Sequence, residues 1–173
     1  TMLPALLGSV ADAPDWMTRD LEAHYGADKA KRIVAMHRIE APVDFTVKSG
    51  ADGWAQKLGG TVMPTGAVRI ASLPVPVPEL PGFDEGAWWV QDLAASLPVK
   101  LMGDLNGKRV ADLCAAPGGK TAQIAAGGGK VTALDMSASR LKRLNANFAR
   151  LGLEAETVVS SLFDWQPAEP FDA

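Results

Sequence analysis

The sequence predicts an α/β chain in which a small α+β module precedes the first half of an open parallel sheet. Three observations carry that reading. After about Gly103, short apolar runs alternate with helix-periodic segments, the pattern of strand, crossover helix and parallel strand. At residues 110–121 an apolar run passes through a small-residue loop with paired glycines into a helix-prone segment. Between residues 42 and 81 the chain reads instead as short β segments broken by turn residues.

Residues 1–41 read as a helical linker region. The pattern is helical from Trp16 to Ile39, with Asp15 or Thr18 as N-cap and Ile33, Met36 and Ile39 at helical spacing. Tyr25-Gly26 divides it into two short helices. Residues 42–102 read as a small α+β module with a connecting helix. Within it, residues 45–48 and 67–70 alternate as strands, with Ser49-Gly50, Gly59-Gly60 and Pro64-Thr65-Gly66 as punctuation. Pro74, Pro76, Pro78 and Pro81 make a stiff connector that cannot enter a central strand, and residues 86–102 return to helix.

Residues 103–173 read as the sheet unit, with strands at 110–113, 131–134 and 157–160 and a first helix at 121–126. Ser137 or Ser139 caps a second helix, whose buried stripe is Leu141, Leu144, Phe148 and Leu151 and which Gly152 stops. Phe171-Asp172 opens a fourth strand. With nothing beyond it, residues 110–113 would be a bare apolar edge.

The loop is the chemically informative part. Gly118 and Gly119 lack Cβ atoms, can take positive φ, and let backbone N–H groups approach a ligand closely. The helix that follows adds unpaired donors and a positive dipole end, and such a corner of an open sheet is where a nucleotide-like cofactor sits. The dinucleotide fingerprint G-x-G-x-x-G fails, because the corresponding residues are Cys-Ala-Ala-Pro-Gly-Gly. The P-loop fails too: Gly119-Lys120-Thr121 matches its tail, but its first glycine would fall at Cys114.

Taken whole, Asp112-Leu113-Cys114-Ala115-Ala116-Pro117-Gly118-Gly119-Lys120-Thr121 closely resembles the S-adenosylmethionine-binding first motif of RNA cytosine-5 methyltransferases, in particular the bacterial Sun-type 16S rRNA enzymes. Leu80-Pro81-Gly82-Phe83 and Glu85-Gly86-Ala87-Trp88-Trp89-Val90-Gln91-Asp92 resemble the segment leading into that family's catalytic domain. Ala13-Pro14-Asp15-Trp16 and Tyr25-Gly26 resemble its connecting region, and Ala133-Leu134-Asp135-Met136-Ser137 with Arg140-Leu141 its second motif. The resemblance implies a Rossmann-like methyltransferase sheet, here truncated, behind an RNA-recognition-like module. It further implies an rRNA substrate, 16S rather than DNA, and a monomeric, cytoplasmic full-length enzyme.

It also implies site residues. Cys114, Ala115, Ala116, Pro117, Gly118, Gly119 and Lys120 would line the cofactor, and Asp135, at the end of the second strand, would accept ribose hydroxyls. An adenine contact is expected just after the third strand, at Ser161 or Asp164. In this family a cysteine thiolate attacks carbon 6 of cytosine, from an Asp-Ala-Pro-Cys segment after the fourth strand. The sequence ends at Pro170-Phe171-Asp172-Ala173, so no catalytic residue is expected within it. The chain is therefore expected to be an inactive fragment, begun in the linker after an N-terminal helical RNA-binding domain.

Composition is compatible and decides little. A content of 47% hydrophobic residues can supply a core, and a net charge of −3 is not that of a chain built chiefly to neutralise phosphates. No apolar run is long enough for a membrane span. One cysteine excludes an internal disulfide or multi-cysteine metal site, and His24 and His37, thirteen residues apart, do not suggest a metal pair.

The blander readings differ by residue. Cys114 reads as a small inert hydrophobe at the end of a buried strand, Lys120 as a contact to the cofactor's carboxylate or to an RNA phosphate. Arg140, Lys142, Arg143 and Arg150 form a basic helix face that is solvated by default; Trp88 and Trp89 read as packing residues before stacking ones. The competing function is a non-catalytic RNA-binding adaptor with a vestigial cofactor loop, which predicts salt-sensitive RNA affinity without cofactor dependence.

Overall fold

The computed structural model describes residues 13–173, which fall into two compact units divided between Ala41 and Pro42. In the first unit, α1 (Asp15–Tyr25) and α2 (Ala27–Met36) are separated by Gly26, whose φ of +77° ends one helix and starts the next. Neither Asp15 nor Thr18 caps α1. Pro14 holds the N-cap position, with its carbonyl accepting from the N–H groups of Met17 and Thr18. Ala30 is buried, whereas Met36 and Ile39 are exposed, so the expected apolar stripe is only partly used.

The second unit carries two sheets. The first is four-stranded and antiparallel, in the order β2 (Thr61–Val62), β3 (Val68–Ile70), β1 (Val43–Val47), β4 (Trp88–Val90). Its buried face joins Phe45, Val68, Ile70, Leu80 and Trp88 to Ala55 and Leu58 of α3 (Ala51–Leu58). The expectation of β segments alone between 42 and 81 misses α3. Its signal is Ala51, Trp54, Ala55 and Leu58 at helical spacing, bounded by Gly50 and Gly59 with φ of +68° and +65°.

The helix expected over 86–102 is also corrected. Trp88–Val90 is strand β4, paired with β1, and α4 (Leu93–Leu101) starts only after Asp92, whose carboxylate accepts from the N–H groups of Ala94 and Ala95. An aromatic and β-branched run favours the pleated surface over the helix. Successive residues of a strand point to opposite faces, and β4 uses this fully. Trp88 packs into the core of the small sheet, and Trp89 into a second core with Leu141, Leu144, Phe148 and Leu151. Both indoles are buried, as packing residues rather than an open stacking surface.

That second core belongs to the parallel sheet β5 (Arg109–Asp112), β6 (Lys130–Asp135), β7 (Glu156–Val159), with β6 central. Helix α5 (Gly119–Ala126) crosses from β5 to β6, and α6 (Ala138–Leu151) from β6 to β7. Ser137 caps α6, the four residues of the expected stripe are its buried set, and Gly152 at φ +59° ends it. Residues 171–173 are not a regular strand, yet they run along β5. The N–H of Asp172 donates to the Arg109 carbonyl (2.8 Å), and the N–H of Ala111 donates to the Ala173 carbonyl (2.9 Å). The edge of β5 is accordingly paired at Arg109 and Ala111 rather than bare.

Candidate functional site

The glycine loop leaves β5 at Asp112 and enters α5 at Gly119, at the carboxyl ends of the parallel strands. Its shape is fixed from several sides. The N–H of Ala115 donates to the Leu134 carbonyl of β6 (3.0 Å), and the N–H of Gly118 donates to the Ala115 carbonyl (2.7 Å). The Ala116–Pro117 peptide is cis. Gly118 has φ +104°, and a Cβ there would lie 2.9 Å from Leu144 Cγ, so both backbone conformation and space demand glycine. Thr121, fully buried, donates its hydroxyl to the Asp112 carboxylate (2.7 Å) and ties the first turn of α5 to the end of β5.

Asp135 ends β6 and is almost fully buried. Its Oδ2 accepts from the Ala116 N–H (3.2 Å) and its Oδ1 from the Ser137 N–H (2.9 Å), so one carboxylate joins the loop to the start of α6. Arg140 completes the joint, pairing with Asp135 (Nη1 to Oδ2, 3.2 Å) and donating to the Ala116 carbonyl. The sequence placed Arg140 on a solvated basic face; the only sign of another role is that Arg140-Leu141 belongs to the second-motif resemblance.

The loop's other side borders a cavity of about 520 Å³. Cys114, Ala115, Ala116, Pro117, Gly119 and Lys120 line it, opposite Gln91 and Asp92 and the α6 residues Arg143, Asn147 and Arg150. Gly118, Asp135, Ser161 and Asp164 do not line it. A larger cavity of about 850 Å³ lies near Arg109, Lys130 and Phe171, at the amino ends of the strands. In open parallel sheets ligands bind at the carboxyl ends, which favours the smaller cavity.

Cys114 is exposed rather than buried, because β5 ends at Asp112 and the thiol falls in the loop. Ser161 and Asp164 sit in the turn after β7. The Ser161 Oγ accepts from the Phe163 N–H (3.2 Å) and its carbonyl from the Asp164 N–H (3.1 Å), while Asp164 is exposed. This turn adjoins Asp135 through the Ser160 N–H, which donates to the Asp135 carbonyl (3.3 Å).

Arg150 also departs from the solvated face expected for it. Its guanidinium donates to the Phe83 carbonyl (2.6 Å), the Trp88 carbonyl (3.1 Å) and Asn147 Oδ1 (2.7 Å), and lies over the Phe83 ring. Burial among these neutral acceptors holds it below the ordinary arginine value, opposed by the charge of Asp84. Lys142 and Arg143 do remain exposed. Across the small sheet, Asp44 is held below the ordinary carboxylate value chiefly by hydrogen bonds from Arg69, against the opposing effect of burial.

Residues 99–169 match the family model described as 16S rRNA methyltransferase RsmB/F. The matched segment, from α4 to the turn after β7, is similar to that family. Among curated relatives, the ribosomal RNA small subunit methyltransferase B of Erwinia tasmaniensis is 41% identical over 122 residues, covering 69% of this chain and 27% of the relative. The protein of the same name from Enterobacter sp. is 35% identical over 169 residues, covering 87% of this chain and 39% of the relative. The chain thus spans well under half the length of these relatives. Among solved structures, a methyltransferase homologue from Pyrococcus horikoshii superposes with a TM-score of 0.70 at 24% identity, covering 92% of this chain and 56% of that one. NSun6 from Pyrococcus horikoshii, solved with SFG, gives 0.70 at 15% identity, covering 86% and 65%. These two likenesses show the fold alone, mixed α/β with a parallel sheet.

Proposed function

We propose that this chain is the cofactor-binding part of an S-adenosylmethionine-dependent methyltransferase acting on carbon 5 of cytosine in 16S rRNA. One observation carries the proposal: within the family-matched segment, the glycine loop is held open at the carboxyl ends of the strands by Asp135 on one side and borders a cavity on the other. The residues fit the cofactor. No side chain caps α5, so the N–H groups ahead of Ala122, whose own N–H donates to the Gly118 carbonyl, can meet the cofactor's carboxylate, with Lys120 exposed beside them. Beyond its three donors, Ala116, Ser137 and Arg140, Asp135 keeps one acceptor site on Oδ2, which is assigned to a ribose hydroxyl. Arg140 fixes that carboxylate. Ser161 or Asp164 is assigned to adenine.

When bound, S-adenosylmethionine supplies an electrophilic methyl group. The loop residues Cys114, Ala115, Ala116, Pro117 and Gly119 shape the wall against which it rests, and Gly118 holds the turn behind them. We assign no catalytic residue within this chain: Cys114 belongs to the cofactor loop. The small antiparallel sheet with α3 is assigned as the RNA-recognition-like module, presenting rRNA to the cofactor. Calorimetric titration of the chain with S-adenosylhomocysteine tests the core of this reading. Saturable one-site binding is expected, and absence of any heat beyond dilution defeats it.

A further inference from the structure

We propose that Gln91 is a positioning residue for the glycine loop, carrying the placement of the small sheet to the amino end of α5. The inference rests on the cofactor reading above. Gln91 follows β4 and is buried. Its Oε1 accepts from the Thr46 hydroxyl of β1 (2.7 Å) and from the Trp89 indole N–H (3.1 Å). Two donors on one oxygen fix which end of the amide is which. Its Nε2 then donates to Gln123 Oε1 on α5 (2.9 Å), and Gln123 Nε2 donates to the Ser96 carbonyl of α4 (3.0 Å). The backbone N–H of Gln91 is held by the Asp44 carbonyl (3.0 Å).

The same side chain forms the surface behind the loop. A Cβ on Gly119 would meet Gln91 Cγ at 3.6 Å, ordinary contact distance, so the aliphatic part of Gln91 backs the first residue of α5 while its amide holds the next turn. α5 has no side-chain cap of its own, and its amino end is set by Thr121–Asp112 on one side and by Gln91–Gln123 on the other. A neutral amide suits the place. It must accept twice and donate once in a buried setting, which a carboxylate cannot do without a proton and an aliphatic chain cannot do at all.

The test is a double-mutant cycle read on ligand affinity, using the whole chain and S-adenosylhomocysteine. Gln123 does not line the cavity, so Gln123→Leu cuts the link without touching the ligand. Gln91→Met and Gln123→Leu are each expected to weaken binding about tenfold, and the double variant no more than either alone. In nitrogen-resolved NMR, the Trp89 indole N–H resonance, assigned with Trp89→Phe, is expected to shift on saturation in the original chain and to stay unmoved in Gln123→Leu. Should both variants fail to fold by circular dichroism, Thr46→Val, which removes one donor at the far end of the chain of bonds, is expected to weaken binding measurably. Folded Gln91→Met or Gln123→Leu, or Thr46→Val in their place, with affinity within about twofold of the original overturns the inference. So do additive losses. No binding by the original chain defeats the cofactor reading itself, and this inference with it.

Discussion

Replacing Gly86 by alanine should strain the contact between the small module and α6. Gly86 is buried at φ +61°, and an added Cβ would lie 2.2 Å from the Arg150 carbonyl oxygen and 2.8 Å from Leu151 Cα. Those are backbone atoms of α6, so no rotamer change relieves the clash. Gly152 supplies the control, because its φ is +59° and a Cβ there meets nothing within 4 Å. The left-handed conformation costs a non-glycine residue about 1–2 kcal/mol, which both variants share. Overpacking adds about 1–3 kcal/mol at Gly86 alone, and that range is a floor for a clash with backbone. The clash also pushes α6 away from Phe83 and Trp88, whose carbonyls Arg150 holds. Urea unfolding followed by far-ultraviolet circular dichroism gives both free energies. A Gly86→Ala cost equal to that of Gly152→Ala would refute the contact between the small module and α6.

Other perturbations probe the rest of the unit. Asp44 binds Arg69 through both carboxylate oxygens (2.7 and 2.8 Å) and accepts the Leu93 N–H (2.9 Å), but Arg69 is partly exposed and screened, so Asp44→Asn should cost about 1–2 kcal/mol near neutral pH. Because its folded pKa is lowered, the stability Asp44 contributes is complete above its unfolded pKa and is lost as pH falls through the folded one. The variant should therefore show a shallower acid limb in stability against pH, and identical limbs count against the pairing. Asp135→Ala should weaken S-adenosylhomocysteine binding by about 1.5–3 kcal/mol, the range for hydrogen bonds to a charged group; unchanged affinity rules out the ribose assignment. Cys114, being exposed, should react fully with a disulfide reagent without denaturant and more slowly with the ligand bound. A thiol that reacts only after unfolding contradicts its position in the loop.

The parallel sheet was legible because each of its elements announces itself within a few residues. The stripe of Leu141, Leu144, Phe148 and Leu151 has a capping serine before it and a stopping glycine after it, and all three signals agree. The small sheet was less so. Its strands are as short as two residues, and α3 is eight residues long between glycines, too brief for periodicity to outweigh the surrounding turn signals. Trp88-Trp89 was read as helix because nothing local says that two cores lie on opposite sides of that strand. Arg140 and Arg150 look alike in sequence, as basic residues on one helix. Their roles come from partners 24 and 62 or more residues away: the Ala116 carbonyl for Arg140, the Phe83 and Trp88 carbonyls for Arg150. Cys114 was misplaced by a boundary shift alone, since a strand ending one residue earlier turns a buried position into a loop position.

The glycine motif is compact in sequence, but what gives it shape is dispersed. Gly118 is required by Leu144 of α6, the Ala116 N–H is held by Asp135 of β6, and Gly119 rests on Gln91 beyond β4. A motif transplanted alone would keep its residues and lose these constraints, because each is a contact to a different element. The small module is therefore no detachable appendage to the parallel sheet. It reaches the loop through Gln91 and α6 through Arg150, and Trp89 fills the core directly beneath both. A change in β1 or β4 should reach ligand affinity before it reaches global stability, since the buried bonds that join them to α5 are few and each is neutral.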